Sequence, residues 1–97
     1  MDLVSITTDD NKKNKMVAVF EDKETGRTKT VHFGAVGYTD YTLSKDKEKR
    51  KQYLTRHKAR ENWDDYTSAG SLSKHILWGD TTSIEKNIKA FKKKFKL

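Results

Sequence analysis

Between residues 45 and 60 the chain carries Lys45, Lys47, Lys49, Arg50, Lys51, Arg56, Lys58 and Arg60, against only Asp46 and Glu48. Cations this dense can neutralise several phosphates of a polyanion, and such binding weakens steeply with salt. The three arginines add planar forks that pair two-pronged with carboxylates or phosphates. A second set near the end of the sequence contributes Lys89, Lys92, Lys93 and Lys96, beside Lys86 and Lys94. The eight residues of 45–60 and Lys89, Lys92, Lys93 and Lys96 are the candidate partner- or phosphate-binding residues. A solvated helix face has the same composition, so the pattern indicates a class of partner and not one molecule.

Other chemistry has little footing. His32, His57 and His75 are scattered, without the His-x-x-x-His spacing that places two ligands on one helix face. Gly34-Ala35-Val36-Gly37 is a G-x-x-G loop, a form some nucleic-acid modules use to clamp a backbone, but it holds no Lys or Arg and reads as a turn. Ser68-Ala69-Gly70-Ser71 is not a nucleophile elbow, and neither a phosphate-binding loop nor H-E-x-x-H occurs. Asp64-Asp65, near His57 and Asn62, fits a bend more economically than a metal-dependent nuclease. The expectation is a binding protein and no enzyme, with no catalytic residues, metal, cofactor or small-molecule substrate.

The elements that must position the cations follow from pattern. Leu3 to Thr7, Lys15 to Glu21 and Thr28 to Phe33 are short β-prone runs. The polar turns Asp9 to Asn14 and Lys23 to Arg27 join them, which predicts an antiparallel meander. Tyr38 to Leu43 reads as extended, either a fourth edge strand or an ordered loop. Ser44 is placed to cap a helix over about Lys45 to Ala59, with Tyr53, Leu54 and His57 as its narrow packed stripe. Glu61 to Tyr66 is a bend anchored by Trp63 and Tyr66. Ser71 to Trp78 is a short helix stopped by Gly79. Thr82-Ser83-Ile84-Glu85 fits a capping box with Glu85 at its third helical position. Ile84, Ile88, Phe91 and Phe95 then recur on one helical face. The predicted fold is α+β: a small N-terminal antiparallel sheet of three to four strands, then three helices. The expected core is Val17, Val19, Val31, Phe33, Leu54, Trp63, Leu72, Ile76, Ile84, Ile88, Phe91 and Phe95.

Composition bounds the rest. At 97 residues, a single domain over 1–97 is expected. Charged residues make up 36% and hydrophobic residues 33%, close to the limit for independent folding, but ten aromatic side chains bring large area to bury. Residues 1–44, mainly β, hold six Lys or Arg against seven Asp or Glu; residues 45–97, mainly α, hold fifteen against seven. The whole +7 net charge thus arises in the second half, which suggests a face for an anionic partner. There is no Cys, so disulfides and thiolate zinc sites are excluded. No signal-peptide pattern opens the sequence, and the longest apolar run, Met16 to Phe20, is far below the about 20 residues of a membrane span. An intracellular, non-secreted protein without a membrane span is expected.

Certain segments carry a resemblance. Thr30-Val31-His32-Phe33-Gly34-Ala35-Val36-Gly37-Tyr38-Thr39-Asp40-Tyr41-Thr42 is followed by the basic run through His57, then by Glu61-Asn62-Trp63, Ala69-Gly70-Ser71-Leu72-Ser73, Ile76-Leu77-Trp78 and the Phe91 to Phe95 segment. This order, over roughly residues 28–97, resembles a family of short basic proteins of unassigned function from nucleocytoplasmic large DNA viruses of algae and amoebae. The chain departs from that family in having no proline between the first Trp and the Ala-Gly step. The resemblance supplies no site residues. It implies a virion or host-intracellular location and capsid or other virion proteins as partners. The leading expectation is accordingly a minor capsid or cement component, and the alternative is a sequence-nonspecific DNA- or RNA-binding protein.

Overall fold

The computed structural model describes residues 1–10 and 13–97; Asn11 and Lys12, within the predicted Asp9 to Asn14 turn, lie outside the described residues. Three antiparallel strands, β1 (Asp2–Thr8), β2 (Asn14–Glu21) and β3 (Thr28–Ala35), form one sheet in the order β1-β2-β3. Four helices follow. They are a single turn α1 (Tyr41–Ser44), the basic α2 (Lys47–Lys58), the short α3 (Ala69–Leu72) and α4 (Ile84–Phe95). A π-helical turn, Ser73–Leu77, continues α3 without a break. The architecture is α+β, with the sheet first and the helices after it.

The sheet buries one face, and β3 decides which face of β2 that is. Val31 and Phe33 pair with Ala18 and Met16, and Lys29 with Phe20. Directly opposed residues project to the same side of a sheet. Met16, Ala18 and Phe20 therefore enter the core, while Val17 and Val19, expected there, oppose His32 and Thr30 and are only half-buried. The alternation Met-Val-Ala-Val-Phe satisfies either phase, and burying the Phe20 ring favours the phase observed. β1 reaches the same face through a bulge: the register shifts between Leu3 and Ser5, leaving Val4 59% exposed while Leu3 and Ile6 pack on the core.

Residues 38–43 do not form a fourth strand. Asp40 caps α1 instead, accepting from the backbone N–H groups of Thr42 and Leu43. Lys45 then takes a left-handed conformation (φ 56°), so α2 begins two residues later than its charge pattern suggested. Asp46 caps it in place of Ser44, accepting from Glu48 and Lys49 N–H groups. At α4 the cap is Ser83, which accepts from Lys86 N–H, so Glu85 sits one position earlier than expected but still in the first turn. Ile84, expected in the core, stands 36% exposed at that first turn, and Trp63, Leu54, Ile88 and Phe95 are only partly buried. Leu54, Ile88 and Phe95 still pack against the core, which Tyr41, Tyr53, Leu77 and Trp78 complete.

The π turn and its C-cap carry three of the core residues. Widening the helix by one residue turns Ile76, Leu77 and Trp78 all inward, at 0%, 2% and 8% exposure. Gly79 follows, where a Cβ would lie 2.3 Å from the carbonyl oxygen of His75 and 2.8 Å from Asn87. Glycine is required here by close approach and not by a positive φ. Gly79→Ala should destabilise the fold by about 2–3 kcal/mol, the cost of overpacking a filled interior, and lower Tm by roughly 10 °C or more. Thermal unfolding followed by circular dichroism checks this.

Candidate functional site: a basic helix beside an aromatic cleft

α2 has little apolar surface with which to dock. Only Tyr53 is buried, with Arg50, Leu54 and His57 half-buried beside it. Two interactions compensate. The Arg50 Nε–H donates to the carbonyls of Trp78 (3.1 Å) and Gly79 (2.9 Å), and its Nη2 meets Asp80 Oδ1 at 2.9 Å. The Tyr53 ring lies parallel to Trp78, centroids 4.2 Å apart and planes 5° apart, and His57 stacks on the other side at 4.1 Å. Burial, with Glu61 nearby, pushes the Tyr53 phenol above its ordinary range, so it stays neutral.

This docking sorts the predicted cations. Arg50 faces inward and is committed within the chain. Lys45, Lys47, Lys49, Lys51, Arg56, Lys58 and Arg60 are exposed, as are Lys89, Lys92, Lys93 and Lys96. None of these eleven forms a salt bridge among the described residues. At 100° per residue, Lys47, Lys51 and Lys58 fall on one flank of α2, and Lys49 and Arg56 on the opposite flank. On α4, Lys89 and Lys93 lie opposite buried Phe91, with Lys92 to one side and Lys96 in the left-handed cap. The twelve candidates are therefore several stripes and not one surface.

The Lys49–Arg56 flank borders a cleft of about 670 Å³ between α2, the loop from Ala35 to Asp40, and the π turn. Its inner boundary includes Tyr53, Leu77 and Trp78, and Tyr38 stands at the mouth, 74% exposed. Lys15 reaches in from β2 and joins Asp40, Nζ to Oδ2 2.6 Å, with the two side chains 18% and 2% exposed. The same ammonium donates to the Tyr38 carbonyl at 2.5 Å, which fixes the loop. Glu61 closes the far end; it accepts from Trp63 Nε1 at 2.9 Å and lies 3.2 Å from His57 Nδ1.

A smaller hollow of about 220 Å³ lies between the π turn and α4, lined by Lys74, His75, Asp80 and Lys94 among others. Burial lowers both Lys74 and His75 from their ordinary values, and the neighbouring cations add to this. Among the described residues, no three His, Asp or Glu side chains converge as a metal site would require, and no helix is long and apolar enough to cross a membrane.

Sequence reasoning missed Lys15, Tyr38, Asp40, Gln52 and Trp78 as cleft residues. They come from four separate segments, and none belongs to a motif. The single available signal was that Lys49, Gln52 and Arg56 share one helical flank with the packed Tyr53 and His57 nearby.

A family of unknown function, DUF5754, matches residues 4–57, which is more than half of the chain and covers nearly all of the sheet, α1 and nearly all of α2. No curated protein and no solved structure matches.

The Lys15–Asp40 pair gives a direct test of how the cleft is built. Asp40→Ala should destabilise by about 3 kcal/mol, because it strands a largely desolvated ammonium and uncaps α1. Lys15→Met should cost less, since Asp40 keeps its bonds from Thr42 and Leu43. Urea unfolding of both variants measures the difference.

Proposed function

The chain belongs to this family of unknown function, DUF5754, and on that premise we propose that it is a sequence-nonspecific nucleic-acid-binding protein acting through α2 and α4. The observation that supports the reading most is the state of the cations. Eleven of the twelve candidates are solvent-exposed, without a carboxylate partner among the described residues. A cation held for stability would be tied down as Arg50 is. Cations left free in stripes suit a polyphosphate backbone, whose charge density rewards release of condensed counterions. Arg56 and Arg60 are exposed and form no salt bridge among the described residues, so their forks suit two-pronged contact with phosphate.

A second reading is a minor capsid or cement component of a virion, in contact with larger structural proteins. The resemblance to proteins of large DNA viruses favours it, and so does β1. That strand is an edge of the sheet with Val4 exposed, a form that a neighbouring chain can extend. In this reading the free cations would meet carboxylates of neighbouring proteins.

Titration of labelled duplex and single-stranded DNA over a salt series tests the first reading. Binding should be measurable at low ionic strength and fall linearly in log–log form. The triple change Lys47→Gln, Lys51→Gln, Lys58→Gln should reduce the duplex slope by roughly two to three, about 0.9 for each phosphate no longer neutralised. Absence of binding at low salt, or an affinity indifferent to salt, overturns it. For the second reading, quantitative mass spectrometry of purified particles should find the chain in stoichiometric amounts; presence in infected cells but not in particles overturns that one.

A further inference from the structure

The cleft beside α2 is wider and more aromatic than backbone neutralisation requires. Its volume, about 670 Å³, is within the range of small-ligand sites, roughly 300–1,000 Å³. Its charges reduce to a simple pattern. Asp40 is neutralised by Lys15 and further satisfied by the N-terminus of α1. Glu61 accepts from Trp63 Nε1 and lies beside His57 Nδ1, which balances its charge only when protonated. Among the described residues, the cations left without a carboxylate partner on the lining are Lys49 and Arg56, both exposed and seven residues apart on one flank. Seven residues of helix span about 10.5 Å, so the two side chains can hold one phosphate between them or two neighbouring ones.

Gln52 lies between these cations on the same flank and supplies an amide with both donor and acceptor. Across the mouth, Tyr38 projects from a loop whose backbone is pinned by Lys15 and by the Val36 N–H to Lys13 carbonyl bond (3.0 Å). The ring is 74% exposed on an anchored loop, which leaves its face open to stack on a planar ligand. Within the cleft Tyr53, Leu77 and Trp78 supply aromatic and aliphatic surface beside the polar groups of Asp40, Glu61 and Ser73.

We infer that the cleft receives a planar heteroaromatic base bearing a phosphate, with the base against Tyr38 and within reach of the Gln52 amide, and the phosphate held by Lys49 and Arg56. This deepens the nucleic-acid reading and rests on it. The outer stripes Lys47, Lys51 and Lys58 follow the backbone, and the cleft captures one unpaired nucleotide. Single strands are thereby preferred to duplex, whose bases are stacked and unavailable. The same chemistry could be met by one nucleotide of a strand or by a free mononucleotide, and the probes below separate the two.

Amide chemical shifts of the full chain are followed while a single-stranded hexanucleotide, a matched duplex, a nucleoside monophosphate or orthophosphate is added at low salt. The hexanucleotide should move Tyr38, Gln52, Arg56 and Trp78 together. Response to the monophosphate as well identifies a free nucleotide as sufficient; response to the hexanucleotide alone identifies the strand as the source. Tyr38→Ala, at a position too exposed to matter for folding, should weaken hexanucleotide binding about tenfold, the value of one lost base stack, and leave the duplex affinity and its salt slope unchanged. Shifts confined to the Lys47, Lys51 and Lys58 flank and α4 would overturn the cleft inference while leaving backbone binding intact. Equal shifts with orthophosphate would reduce the cleft to an anion site and overturn base capture. No shift with any nucleic acid would remove both readings together.

Discussion

The helical half of this protein is organised around the carbonyl groups at the end of the π turn. A helix terminus leaves its last carbonyls without partners in the chain that made them, and burial makes that expensive. Here two other helices supply the donors. Arg50 of α2 donates to the carbonyls of Trp78 and Gly79, and buried Asn87 of α4 donates to those of Ile76 and Thr81 at 2.8 Å each. Asn87 Oδ1 in turn accepts from Thr81 N–H and from its hydroxyl. One short stretch, residues 76–81, thus fixes both cationic helices. Gly79 lies at its centre because any side chain would displace the Asn87 amide or the His75 carbonyl.

That arrangement explains how so charged a chain keeps a defined surface. α2 contributes a single buried side chain, yet it is held by a two-carbonyl guanidinium bond and a three-ring stack. Its remaining cations are then available to solvent and to partners. The same docking opens the cleft: Tyr53 and Trp78 meet at its inner boundary, while Lys49 and Arg56 are left at its edge. The exposed cations and the structural anchor share one helix but use different faces of it.

Much of the scaffold could be read from local pattern. The three strands, the turn at Gly26 and the apolar stripe of α4 follow from alternation, turn chemistry and a 3.6-residue period, which depend only on near neighbours. The phase of β2 did not follow, because Val17 and Val19 are as plausible as Met16, Ala18 and Phe20 until pairing with Val31 and Phe33 decides it. Nor did α1. Tyr38 to Leu43 has strand-like composition, and the helical turn exists because Asp40 is buried, paired with Lys15 twenty-five residues earlier and able to cap. The π turn was equally hidden, since one extra residue in a helix leaves no local signature in Ser73–Leu77.

By itself the sequence determined the α+β class and the placement of all excess positive charge after residue 44. These are properties of composition and short-range periodicity. Tertiary structure alone decided which cation is structural and which are free, and that Lys15, Tyr38, Asp40, Gln52 and Trp78 surround one cleft. The reason is physical. A side chain's role depends on what desolvates it and what satisfies it, and for Arg50 those partners are carbonyls 28 and 29 residues away.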